Sequence, residues 1–280
     1  QEYIVDDQHG IADPLGMAGV RLEVKVHIVT GAVTSAQNIV RSCHRSGLDV
    51  DDIVLEALAS SKAVLTDEER ELGVALVDVG GGTTDIAMFA NDSIKYTGVL
   101  ALGGTNLTND IAFGLRTPTA SAEKIKVKYA CALADMVRSD EVIEVPSVGG
   151  RESRRLSRQV LAEICEPRME EILGLVDQEL TANRVKDGIG AGVVLTGGTA
   201  LIPGIEELGE QIFNLPTRVG YPRNLGGLKD VVHSPIYATA VGLLLFGAEK
   251  QGIEKKFRIR DVNVFNRILS RMRKWFEDIA

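Results

Sequence analysis

The chain is expected to fold as an α/β protein, and three stretches carry that expectation. Val74 to Phe89 sets two apolar runs, each the length of a buried strand, on either side of Gly80-Gly81-Gly82 and Thr83-Thr84. Gly192 to Gly204 is a second apolar strand ending in the pair Gly197-Gly198, and Ile205 to Phe213 follows it at helical spacing. From Ser157 to Leu180 charged and apolar residues again recur at helical spacing, with Pro167 expected to kink or break the helix.

In chain order, Arg21 to Val29 alternates in the strand manner. Ser35 to Leu65 reads as a helix capped by Ser35, a turn at Ser46-Gly47-Leu48-Asp49, then a strand and a second helix. The glycines at 80–82 let the turn adopt positive φ and expose its amides, and a run of open N–H groups cradles phosphate oxygens. Thr83 and Thr84 add hydroxyl donors, while Asp78 and Asp85 are placed to hold a hydrated Mg²⁺ against the phosphate charge. Three glycines alone describe an ordinary hairpin; the flanking Asp78 and Thr83-Thr84-Asp85 favour the phosphate reading. At Gly197-Gly198-Thr199 a flat ligand can approach the backbone closely, and the helix N-terminus that follows favours an anion. Between the two turns, Glu123 and Lys126 stand three apart on a helix and share a face. Taken alone they read as a solvated ion pair; their place between two glycine turns reads as ligand contact.

The Gly-rich turn at 80–85 resembles the second phosphate loop of the actin-like (ribonuclease H-like) ATPase superfamily, where such a loop holds the β- and γ-phosphates. Further stretches resemble the FtsA family of bacterial cell-division proteins within it. These include Gln1-Glu2-Tyr3-Ile4-Val5-Asp6, Glu68-Glu69-Arg70-Glu71-Leu72-Gly73, Glu144 to Arg151, Leu161 to Arg168, and Tyr237 to Leu244. The resemblance covers essentially the whole chain and implies ATP and Mg²⁺ as cofactors. Gly80, Gly81, Gly82, Thr83, Thr84, Glu123, Lys126, Gly197, Gly198 and Thr199 would then hold the nucleotide, with Asp78 and Asp85 reaching the metal through water. Glu56 falls near the position of an acidic residue that faces the nucleotide in chaperone relatives. One departure is large: no Asp-x-Gly-Thr-type first phosphate loop follows an opening strand. The chain therefore reads as the C-terminal two-thirds of a family member, an actin-like fold incomplete at the N-terminus and ending in an amphipathic helix.

The resemblance also divides the chain. Residues 1–30 would end the small inserted domain IC and 31–72 would complete subdomain IA. Residues 73–116 and 191–247 would form subdomain IIA, interrupted by IIB at 117–190. A linker at 248–262 and a membrane-targeting helix at 263–280 would follow.

At 45% hydrophobic and 25% charged, the composition is that of an ordinary globular protein. Three scattered cysteines and four scattered histidines suggest neither a disulfide framework nor a metal cluster. No signal segment and no apolar run of ~18 residues appears. The net charge of −8 conceals an asymmetry: residues 254–280 hold eight basic against four acidic side chains, leaving −12 for the remainder. An acidic body argues against nucleic acid as a partner.

On a helical wheel, Phe265, Ile268, Leu269, Met272, Trp275, Phe276 and Ile279 fall within roughly 120°, with Arg267, Arg271, Arg273 and Lys274 outside that arc. An aromatic-rich stripe with basic flanks describes an interfacial helix on an anionic membrane; a helix packed on the body has the same periodicity. The family resemblance implies an adaptor with at most weak ATPase activity. It would tether FtsZ through that protein's C-terminal tail, with Arg168 and Glu171 in the docking surface. It would also assemble with itself as a filament, bind anionic inner-membrane lipid and recruit later divisome proteins at the cytoplasmic face of the division site. The competing class is a soluble ATPase of the same fold or a sugar-kinase-like phosphotransferase; for the kinase no sugar site or catalytic carboxylate is identifiable.

Overall fold

The computed structural model describes residues 2–11, 13–223, 225–226 and 232–257. It opens with a small antiparallel sheet of β1 (Glu2–Val5), β2 (Gln8–Ile11) and β3 (Leu22–Lys25), in the order β2-β1-β3. Helix α1 (Val33–Arg45) follows, capped by Ala32 rather than Ser35. The Ala32 carbonyl already accepts the amides of Ser35 (3.1 Å) and Ala36 (3.2 Å), so Ser35 lies inside the first turn and caps nothing. The strand expected between the turn at 46–49 and the second helix is not formed: residues 50–55 join none of the three sheets. They lead directly into α2 (Glu56–Val64) and α3 (Asp67–Leu72). Helix α3 starts from a capping box: Thr66 Oγ1 accepts the Glu69 amide (3.2 Å) and Glu69 accepts the Thr66 amide (2.9 Å).

The central sheet comes next. Strand β4 (Val74–Val79) pairs antiparallel with β5 (Thr84–Ala90), which pairs antiparallel with β6 (Ser93–Leu100). Helices α4 (Gly104–Gly114) and α5 (Thr119–Tyr129) lead to the hairpin β7 (Val142–Val145) and β8 (Arg154–Ser157), then to α6 (Arg158–Ala182). The chain returns to the sheet in β9 (Gly192–Thr196), crosses over through α7 (Ile205–Phe213), adds β10 (Thr217–Val219), and ends its described part in α8 (Ala238–Phe257). The sheet order is β10-β9-β4-β5-β6, with β10, β9 and β4 parallel.

Every residue of β4 and β9 is buried, which explains why these strands read as continuous apolar runs: both faces of the sheet are covered. Ala75, Val77 and Val79 pack with Leu107, Ile111, Leu161 and Phe213, under α4, α6 and α7. Val74 and Leu76 face the other way, against Ala57 and Val64 of α2 and Ala238 and Val241 of α8. Helices α2 and α8 cross so closely that a Cβ on Gly242 would stand 1.8 Å from the Ala59 carbonyl oxygen.

One further expectation is corrected. Helix α6 runs unbroken through Pro167, although proline removes one backbone hydrogen bond. Leu161, Ala162, Cys165, Met169, Ile172, Leu173, Val176 and Leu180 are all buried along it, and that continuous packing outweighs the local defect. Helix α8 continues past Gly247 to Phe257, where a linker was expected to begin at 248. The stretch has no proline and is rich in Ala, Glu, Lys and Gln, and Lys250 pairs with Asp52 at 2.6 Å. The remaining linker residues and the amphipathic segment 263–280, with all its expected membrane-binding side chains, lie outside the described residues.

Candidate nucleotide site

Strand β4 ends at Val79 and β5 begins at Thr84, so Gly80–Thr83 forms the turn between adjacent antiparallel strands, closed by a Gly80 N–H to Thr83 carbonyl bond of 2.9 Å. Gly81, Gly82 and Thr83 are exposed, and none of Gly80, Gly81 and Gly82 takes the positive φ expected of the turn. Gly197, at the end of β9, has φ +86 and packs against the same turn: a Cβ there would lie 2.5 Å from both Asp78 Oδ1 and the Val79 carbonyl oxygen. The Thr199 hydroxyl donates to the Gly80 carbonyl at 3.1 Å. The two glycine turns expected to face one ligand are thus in direct contact.

A third turn, which sequence reasoning missed, completes the floor. Gly104 at the start of α4 donates its amide to the Gly80 carbonyl (2.9 Å), and Thr105 donates to the Gly81 carbonyl (2.7 Å). A Cβ on Gly104 would meet Thr199 Oγ1 at 2.6 Å and Lys126 Nζ at 3.2 Å. The signal was present: Gly103-Gly104-Thr105 repeats the Gly-Gly-Thr of 81–83 and 197–199.

Glu123 and Lys126 of α5 form one wall. Lys126 Nζ contacts Glu123 Oε2 (2.8 Å), the Gly104 carbonyl (2.9 Å) and Thr108 Oγ1 (2.9 Å), and Thr108 also donates to Glu123 at 2.5 Å. Partial burial opposes ionisation of Glu123, but the bonds from Lys126 and Thr108 outweigh it and hold its carboxyl below the usual range. Gly80, Gly81, Gly104, Gly198, Thr199, Glu123 and Lys126 line a cavity of about 310 Å³ together with Val127, Leu201, Ile202, Pro203 and Ile236. A lining that combines glycine backbone and a charged pair with apolar side chains suits a ligand that is anionic at one end and flat and aromatic at the other.

Gly82, Thr83 and Gly197 border that cavity's turn without lining it. Thr84 departs from expectation. It is a buried strand residue whose hydroxyl donates to the Leu102 carbonyl at 2.9 Å, because strand pairing turns it inward; Thr83 is the turn hydroxyl left exposed. Arg168 and Glu171 lie elsewhere, on α6. Arg168 is held by a two-pronged pair to Asp110 of α4 (2.5 and 3.0 Å) and by Glu171.

Asp78 and Asp85 face each other across β4 and β5, both buried. Burial pushes the Asp78 carboxyl up, the Ser60 hydrogen bond opposes this, and the neighbouring Asp85 charge adds to it. Burial likewise raises Asp85 against a hydrogen bond from Thr83. Glu56 is raised by burial and then by the charges of Asp85 and Asp78. Among the described residues no three His, Cys, Asp or Glu side chains gather as direct metal ligands. The oxygen donors of Asp78 and Asp85 would suit a hydrated divalent cation, whose charge would offset this excess of carboxylates. A carboxyl raised in the folded state contributes most stability below the unfolded carboxylate range, and that contribution is lost as pH rises through the folded values. Asp85→Asn is accordingly expected to raise the melting temperature at pH 7 but not in acid. It should also weaken the stabilisation by Mg²⁺ with ATP about tenfold in apparent affinity, which scanning calorimetry at two pH values and a Mg²⁺ titration would measure.

The comparisons with known proteins agree with one another. A family model described as cell division protein FtsA matches residues 75–242, and one described as the SHS2 domain inserted in FTSA matches residues 1–30. The chain is 56% identical over 251 residues to the cell division protein FtsA of Pseudomonas aeruginosa, covering 90% of this chain and 60% of that protein. It is 44% identical over 288 residues to the Escherichia coli K12 protein of the same name, covering 99% of this chain and 69% of that one. Among solved structures, MreB5 of Spiroplasma citri bound to ADP superposes with a TM-score of 0.65 at 20% identity, covering 82% of this chain and 69% of MreB5. That likeness shows an actin-like fold. The chain spans about two thirds or less of the length of these relatives and, on the strength of the family model and their identity, belongs to the FtsA family of cell division proteins.

Proposed function

We propose that this protein is an ATP-binding adaptor of cell division that links FtsZ to the inner membrane, with at most weak ATPase activity of its own. The observation that carries the nucleotide part is the convergence of three Gly-Gly-Thr turns and the Glu123–Lys126 pair on one cavity. The fold is also that of MreB5, whose crystal structure is bound to ADP.

In this reading the open amides of Gly81 and Gly82 take the phosphate oxygens. Asp78 and Asp85 hold the water shell of Mg²⁺, which neutralises phosphate charge. Val127, Leu201, Pro203 and Ile236 give the base an apolar slot beside Gly198 and Thr199. Glu123, ionised and fixed by Lys126, accepts hydrogen bonds from the sugar hydroxyls, while Lys126 keeps the α5 wall against Gly104. Bound nucleotide would thereby clamp α4, α5 and the sheet together and favour a filament-forming conformation.

The partner surface would lie on α6. Arg168 is oriented by Asp110, so an incoming acidic peptide can displace Glu171 without rebuilding the guanidinium geometry. Among the described residues no helix is long and apolar enough to cross a membrane. Attachment to anionic lipid at the cytoplasmic face of the division site would rest on segment 263–280. A synthetic FtsZ C-terminal tail peptide should bind the protein in fluorescence anisotropy, and Arg168→Glu should weaken it about tenfold or more. No binding to the unaltered protein, or turnover of a sugar in a coupled assay, would overturn the adaptor reading.

A further inference from the structure

Beneath the glycine turns lies a polar chain that the nucleotide reading leaves unused. Ser60 of α2 is fully buried and donates to Asp78 Oδ2 at 2.5 Å. With its single proton on the carboxylate, Ser60 Oγ is free to accept from Thr239 Oγ1, 3.0 Å away. Thr239, in the first turn of α8, has its one proton within reach of Ser60 Oγ, of Asp78 Oδ2 (3.4 Å) and of Glu56 Oε1 (3.4 Å). The two hydroxyls thus form a short relay that ends on Asp78 Oδ2, drawn from two helices that cross at Ala59 and Gly242. The relay occupies one carboxylate oxygen. The other, Oδ1, is turned to Gly197, so close that a Cβ there would stand 2.5 Å away.

We propose that Ser60 and Thr239 are positioning residues for Asp78. Resting on the nucleotide reading above, the inference is that they lock Oδ2 so that Oδ1 stays aimed at the glycine turns, where the water shell of a divalent cation is held. A buried carboxylate without these donors would rotate to find others, because an unsatisfied charged oxygen in the interior is costly. The relay also gives α8 a direct stake in the site: its first turn is fixed by the same carboxylate that would sense the cation. Nothing in the relay touches the cavity beside Glu123 and Lys126, so the hydroxyls should affect the cation's contribution and leave the metal-free affinity alone.

The test pairs Thr239→Val, which keeps the shape and removes the hydroxyl, with Thr239→Ser, which restores it, and adds Ser60→Ala. ATP binding is measured by calorimetric titration with Mg²⁺ and with EDTA. The expected result for Thr239→Val is a loss of about fivefold to tenfold in affinity with Mg²⁺, less than twofold change in EDTA, and recovery in Thr239→Ser; Ser60→Ala should lose about tenfold or more in Mg²⁺. Equal losses in Mg²⁺ and EDTA, or no difference between the valine and serine variants, would overturn the positioning role. If the unaltered protein binds no ATP under either condition, the nucleotide reading fails. A crystal structure of Thr239→Val then decides the relay by itself: Asp78 turned away from Gly197 supports it, and an unmoved Asp78 overturns it.

Discussion

Gly197→Ala is expected to destabilise the protein by roughly 2–5 kcal/mol and to lower nucleotide affinity more than tenfold. Two independent costs fall on this position. Its φ of +86 lies where a side chain strains the backbone, and the added methyl would stand 2.5 Å from the Val79 carbonyl oxygen. That neighbour is backbone in a fully buried strand and cannot swing aside; β9 must move away from β4, loosening the parallel ladder in which Asp78 pairs with Thr196. The Thr199 to Gly80 bond lies just beyond, so the shift opens the floor of the cavity as well. Gly82→Ala is the control: no atom lies within 4 Å of its added methyl, and its folding stability should stay within about 0.5 kcal/mol. Scanning calorimetry with titration of a fluorescent ATP analogue checks both variants. An unchanged melting temperature for Gly197→Ala would contradict the packing described here.

Trp275→Glu with Phe276→Glu is expected to abolish sedimentation with anionic liposomes while leaving the body folded. The two aromatics supply much of the apolar area of the 265–279 stripe, at about 25 cal/mol for each Å² removed from water, and two carboxylates would be repelled by an anionic leaflet. Arg267, Arg271, Arg273 and Lys274 add on the order of 1 kcal/mol each near such a surface, screened by salt. Arg271→Glu with Lys274→Glu should therefore weaken binding chiefly at low ionic strength. The alternative, a terminal helix packed on the body, forecasts the reverse: a lower melting temperature and unaltered flotation. Liposome flotation and thermal unfolding on the same variants separate the two.

Legibility in the sequence followed the range of the interactions. Strands β4, β5 and β9 were plain because burial on both faces makes them mostly apolar, the polar residues falling next to the glycine turns. The Glu123–Lys126 pair was legible because three residues on a helix fix a shared face. Ser35 looked like a cap because serine at a helix start usually is one, but the extended-to-helical switch falls three residues earlier, at Ala32. Thr84 was grouped with Thr83 by adjacency, yet Thr83 is an exposed residue of the turn and Thr84 is the first residue of the buried strand β5. The relay through Ser60 and Thr239 was invisible: the two stand 179 positions apart, and only the crossing of α2 and α8 brings them to Asp78. The sequence offered no partner for Arg168 beyond Glu171, because Asp110 lies 58 positions away on another helix.

The nucleotide site is tested most directly by a crystal structure of the protein grown with Mg²⁺ and a non-hydrolysable ATP analogue. The phosphates are expected over Gly80–Thr83 and Gly104, with the base against Leu201 and Ile236 and the sugar within hydrogen-bond reach of Glu123. Saturating analogue found in another cavity, such as the one beside Asp49 and Phe246, or no bound analogue at all, would contradict it.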